Sequence, residues 1–115
     1  MSNSAGKAVV TVGKEGSTSD IVVSELTVAQ MRQAIMNNTW PGADATPEQL
    51  VDYQLDNYLL EECRLCDLSV IANLDKAKLD ALTGSEIRRI LAKAKELNPD
   101  FFAGLGRMEA ARKSS

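Results

Sequence analysis

Leu82-Thr83-Gly84-Ser85-Glu86-Ile87-Arg88-Arg89-Ile90-Leu91, continuing to Asn98-Pro99-Asp100-Phe101-Phe102, is the stretch that decides the fold. Thr83 and Glu86 stand three apart, the spacing of a capping box, with Leu82 and Ile87 placed to staple it. Ile87, Ile90, Leu91, Ala94 and Leu97 then recur at helical spacing, which predicts an amphipathic helix over 84–97. Asn98-Pro99 breaks it, and Pro99 suits the first position of a new helix. Phe101 and Phe102, the two phenylalanines of the chain, follow at once. Large apolar side chains beside a breaker serve either as a core plug or as a docking anchor. Adjacent helical residues are about 100° apart, so the pair can also divide, one inward and one outward.

The same grammar repeats upstream. Thr27-Val28-Ala29-Gln30 is a second capping box, with Leu26 and Met31 at the staple positions. It predicts a helix over 27–36 with Met31, Ala34 and Ile35 inward, ended ahead of Pro41-Gly42. Thr46-Pro47-Glu48-Gln49 is a third start signal and predicts a helix over 47–66. Val51, Leu55, Tyr58, Leu59 and Glu62 share one side of it at helical spacing, a stripe extended by Cys63 and Cys66. Asp67 to Leu74 reads as a short helical turn or connector, and Asp75 caps a second short segment, Lys76 to Leu82. A last helix is expected over 99–110, weakened by Gly104 and Gly106 by about 1 kcal/mol each relative to alanine.

Ahead of the helices, Lys7 to Val12 and Ile21-Val22-Val23 are β-branched runs around the glycine-containing loop 13–20. They predict a β-hairpin with strands near 7–12 and 20–24. The expected architecture is therefore mainly α: a small helical domain with an N-terminal β-hairpin. Its single domain covers 7–110 (hairpin 7–24, helices 27–110), between a disordered 1–6 and a frayed 111–115. With 115 residues the chain bears one modest core. An exposed hairpin edge over Val9–Val12 and Ile21–Val23 leads us to expect self-association into a homo-oligomer.

Catalytic chemistry is sparse. The chain has no histidine, so it has no histidine base and no Ser-His or Cys-His pair. Cys63-Arg64-Leu65-Cys66 is a CxxC, but a structural zinc site needs four ligands. A reactive thiol wants a helix N-terminus or nearby positive charge, whereas this pair falls at the predicted end of a helix after Glu61 and Glu62. Both cysteines read as small, reduced, buried hydrophobes. Gly13-Lys14-Glu15-Gly16-Ser17-Thr18 lacks the spacing of a phosphate-binding loop, since Ala8 stands where the first glycine would. No catalytic residue, metal ligand or cofactor is expected, and the protein reads as a non-enzyme.

Charge is divided along the chain. From Pro41 to Asp67 seven acids accompany one base, Arg64; from Lys76 to Ser115 nine bases accompany five acids. The two parts are expected to face each other or water. Overall acidity, with a net charge of −3, and the lack of base-reading residues beside Arg88, Arg89, Lys93 and Lys95 argue against a nucleic-acid partner. No apolar run spans a membrane, and the N-terminus lacks a secretory h-region.

The order of parts is similar to that of the tail assembly chaperones of long-tailed bacteriophages, over about Ile21 to Ala103. The parts are a hairpin leading into Leu26-Thr27-Val28-Ala29-Gln30-Met31-Arg32, an acidic helix, an Asp67-Leu68-Ser69-Val70 connector, and Leu82–Leu91 followed by Asn98–Phe102. The Cys63/Cys66 pair and Gly104 and Gly106 lie outside the likeness. The resemblance implies a non-catalytic protein of the host bacterial cytoplasm. Such a protein would keep the long tape measure protein soluble while tail tube subunits polymerise around it, so the major tail tube protein is a further implied partner. Candidate contact residues, being mobile or large apolar groups, are Phe101, Phe102, Leu105, Met108, Met31 and Met36. Alternatives are a small structural or adaptor subunit of a phage particle and a small DNA-binding regulator.

Overall fold

The computed structural model describes residues 6–37 and 40–113; the expectations for residues 1–5 and 114–115 fall outside them. The order is β1 (Lys7–Lys14), β2 (Ser17–Ser24), α1 (Val28–Met36), α2 (Pro47–Tyr58), α3 (Leu65–Ile71), α4 (Lys76–Asp80), α5 (Gly84–Leu97) and α6 (Pro99–Lys113). The mainly α architecture with an N-terminal hairpin is as the periodicity predicts.

Three helix starts are closed by the boxes read from the sequence. Thr27 N–H donates to Gln30 Oε1 at 2.9 Å while Gln30 N–H donates to Thr27 Oγ1 at 3.2 Å. Thr46 and Gln49 repeat this at 2.9 and 3.2 Å, and Thr83 and Glu86 at 2.8 and 3.3 Å. Each box satisfies donors that a helix start otherwise leaves open. Asp75 caps α4 by accepting from Lys78 N–H at 2.9 Å.

The hairpin is longer and tighter than predicted. Lys14 pairs with Ser17 and Lys7 with Ser24, antiparallel throughout. The loop is thus only Glu15-Gly16, and the positive φ of Gly16 (+87°) is that of the second central residue of a type II turn. Gly13 also has φ +99°, and a Cβ there would lie 2.6 Å from Ser17 O, so the position needs glycine. Residues 13–20 read as loop because Ser, Thr and Asp dominate them. In the ladder their side chains simply face water, and Thr11 Oγ1 donates across it to Asp20 Oδ1 at 2.8 Å. Gly6 is held too, its carbonyl accepting from Glu25 N–H at 2.6 Å.

Val10, Val12 and Val23 point into the core with Leu26, Ala34, Leu68, Ile71, Leu74, Ile87, Ile90, Leu91, Ala94 and Phe101. The helical turn or connector expected at 67–74 overlaps the central helix α3, which starts two residues earlier and whose Asp67, Leu68 and Ile71 are buried. α5 lies between the hairpin, α3 and α6. α6 runs to Lys113, past the predicted end at 110.

The second helix is the main correction. It ends at Tyr58 instead of 66. Asp56 Oδ1 accepts from Cys66 N–H at 2.7 Å, and Asp67 Oδ2 accepts from Arg64 N–H at 2.9 Å. Together they start a new helix at Leu65, where continued periodicity had suggested one long one. Val51, Leu55, Tyr58 and Leu59 are exposed, and α2 has no buried residue. Ile35, expected inward, is also exposed, while Ala34 is fully buried.

Candidate interaction surface

The sequence-predicted contact residues separate. Phe101 is a core residue at 5% exposure, and Phe102 stands edge-on to it with ring centroids 5.9 Å apart. Phe102, Leu105 and Met31 are partly buried against the core. Met36 (68%) and Met108 (49%) are exposed. Phe101 is therefore inward, and Phe102 keeps only part of its surface open to water.

Sequence reasoning missed the larger surface. Among the described residues, eight of the twelve large apolar side chains that stay exposed lie between Ile35 and Leu59. They are Ile35, Met36, Trp40, Leu50, Val51, Leu55, Tyr58 and Leu59. Single exposed apolar groups are ordinary, but Val51, Leu55, Tyr58 and Leu59 share one flank of α2 by helical spacing, and a contiguous apolar stripe marks an interaction surface. Beside it, a groove of about 460 Å³ opens between α2, α3 and α4. Leu55, Leu65 and Leu79 line it, and Asp52, Asp56, Asp80 and Lys76 supply its charge. Trp40 and Tyr53, with ring centroids 5.2 Å apart, stack edge-to-face; Tyr53 also lines the groove. The signal was present in the sequence as the apolar spacing of 47–59, but that pattern does not distinguish a helix facing its own core from one facing a partner.

The divided charge meets in part. Lys76 Nζ reaches Asp52 Oδ2 at 3.2 Å, and Lys95 pairs with Glu62. Arg64 holds the fully buried Asp67 with two side-chain bonds, Nη2 to Oδ1 at 2.8 Å and Nε to Oδ2 at 3.1 Å. On α5, Arg89 Nη1 donates to Thr11 O at 2.8 Å and Lys93 pairs with Glu96 at 3.0 Å.

The CxxC lies elsewhere than predicted. Cys63 precedes α3 and Cys66 is in its first turn, so the pair lies at a helix N-terminus and not at the end of α2. Both are free, and both are pushed up to about 12, first by burial. For Cys63 the charges of Asp67 and Glu62 add to this; for Cys66, Asp56 and Asp67 do. Cys66 Sγ donates to Ala34 O at 3.8 Å. A thiol in such surroundings is a poor nucleophile at neutral pH. Among the described residues, no group of three or more Cys, Asp or Glu is placed to hold a metal ion, and no helix is long and apolar enough to cross a membrane.

No family model, curated protein or solved structure matches this chain.

Proposed function

We propose that the chain is a non-catalytic tail assembly chaperone of a long-tailed phage, acting in the host bacterial cytoplasm to bind and solubilise the tape measure protein. The observation that carries this reading is the exposed apolar flank of α2, Val51, Leu55, Tyr58 and Leu59, next to an open groove. A long helical partner with apolar stripes needs such a surface to stay soluble. The residues behind the resemblance, Leu82–Leu91 and Asn98–Phe102, largely build α5 and its junction with α6; contact falls to the surface around α2, with Met36 and Met108 as further exposed candidates. Three of the four cations of α5 are already engaged within the molecule, which weighs against a DNA-binding regulator. Co-expression with a tape measure protein of a long-tailed phage should raise the soluble fraction of that protein and yield a complex that co-purifies. No soluble complex at any ratio would overturn the reading.

The hairpin favours one second reading, an adaptor subunit retained in the particle. Gly6 and Glu25 form a bonded pair, so by the antiparallel alternation Thr11 and Gly13 face the outer edge of β1. There they are met by Arg89 and by Glu86, whose Oε2 accepts from Gly13 N–H at 2.6 Å. On β2, Asn98 takes Ser24 O, while Asp20 and Val22 lie further along an edge suited to strand addition. Detection of the chain in purified particles would select this reading.

A further inference from the structure

α2 carries twelve residues and buries none of them. At about 100° per residue, Val51, Leu55, Tyr58 and Leu59 occupy one flank about 100° wide, beside the face that meets α3. They are 51%, 48%, 77% and 46% exposed. Glu48 lies on the same flank and Asp52 at its border with the groove. Residues 41–62 hold six acids and no lysine or arginine. Lys76 and Lys95 reach Asp52 and Glu62, and Asp56 caps α3. Asp44, Glu48 and Glu61 have no ion-pair partner among the described residues. Glu48, Asp52 and Asp56 also repeat at i, i+4, a like-charge spacing that weakens a helix and that Lys76 already relieves at Asp52.

An apolar stripe flanked by unpaired acids repels an acidic partner and attracts a basic one. We propose that this flank docks a basic amphipathic helix, its apolar groups at i, i+4 and i+7 lying on Val51, Leu55 and Tyr58 and its Lys or Arg side chains reaching Glu48 and Glu61. The inference rests on the binding role argued above and supplies its face and the chemistry of the bound segment. A second copy is the competing occupant, since the exposed Arg107 and Met108 of α6 offer a similar mixture.

The test titrates the full chain with three synthetic helical peptides of roughly twenty residues. One has a leucine stripe with Lys and Arg, one the same stripe with Glu, and one the basic composition scrambled out of helical period. Binding is expected for the first alone. It should weaken at least about tenfold in Val51→Ala/Tyr58→Ala, both exposed positions at which circular dichroism should report an unchanged fold. It should weaken several-fold on raising salt to about 0.3 M, and Glu48→Lys/Glu61→Lys should shift preference to the Glu peptide. Equal binding of the Glu or scrambled peptide, or no loss in Val51→Ala/Tyr58→Ala, would overturn the proposal. So would sedimentation showing a self-associated chain that the double variant makes monomeric, with no peptide bound, since a second copy would then hold the flank. If the double variant still solubilises the tape measure protein, the chaperone reading stands and this docking face fails. If the basic peptide binds as expected but the wild-type chain solubilises no tape measure protein, the docking face stands and the chaperone reading fails.

Discussion

Replacing Asn98 with leucine would leave two backbone groups without partners. Its Oδ1 accepts from Leu26 N–H at 2.7 Å, and its Nδ2 donates to Ser24 O at 3.0 Å and Ala94 O at 3.1 Å. The side chain is buried and joins the end of β2 and the approach to α1 to the junction of α5 and α6. In the sequence Asn98 marks only the break ahead of Pro99; its side chain in fact bonds across some seventy residues of chain, which no local pattern reports. Asn98→Leu should cost about 2–4 kcal/mol, the penalty of orphaned buried groups, measured as a lower urea midpoint with an unchanged slope. At the thiols the expectation is kinetic. With Cys63 and Cys66 pushed up to about 12, alkylation of the folded chain at pH 8 should run at least about a hundredfold slower than in denaturant. Equal rates would contradict the burial.

Glu86 shows how one residue couples two elements. Its Oε1 caps α5 and its Oε2 accepts from Gly13 N–H on β1. Hydrogen bonds from the backbone of Thr83, then of Gly13, hold its carboxyl below the ordinary glutamate range. The folded state thus keeps the charge to lower pH than the unfolded chain does. Its contribution is full above the unfolded pKa and is lost as pH falls through the folded one. Wild type and Glu86→Gln should therefore differ most near neutrality and converge in acid, as followed by denaturant midpoints between about pH 7 and pH 3. A constant gap would refute the coupling. The box itself was legible in the sequence, as were those of Thr27 and Thr46, because capping is local chemistry. The end of α2 was not legible. Leu59-Leu60-Glu61-Glu62 are all acceptable in a helix, and only the tertiary bond from Cys66 N–H to Asp56 and the Arg64–Asp67 start of α3 decide otherwise. The hairpin length was missed for a related reason: Ser17-Thr18-Ser19-Asp20 form an exposed strand whose polarity imitates a loop.

Across the molecule, burial is uneven. The hairpin, α3, α5 and Phe101 of α6 share the core, whereas α2 packs chiefly on α3 and buries no residue. Apolar spacing predicted the stripe of α2, but not which surface would cover it, because that depends on what lies opposite. Local opening is easiest where few apolar groups are buried. In the free chain, amides of 50–58 should exchange with solvent well before those of 87–97, read peptide by peptide by mass spectrometry. The two regions then separate the roles of surface and core. If the exposed flank of α2 is where a partner sits, adding saturating partner should slow exchange in 50–58 by at least about tenfold, since binding adds its free energy to every opening that breaks the contact. Exchange in 87–97 should change only as far as global stability rises. Protection confined to α6, around Phe102, Leu105 and Met108, would instead return the contact to the C-terminal segment and leave the apolar flank of α2 without a partner.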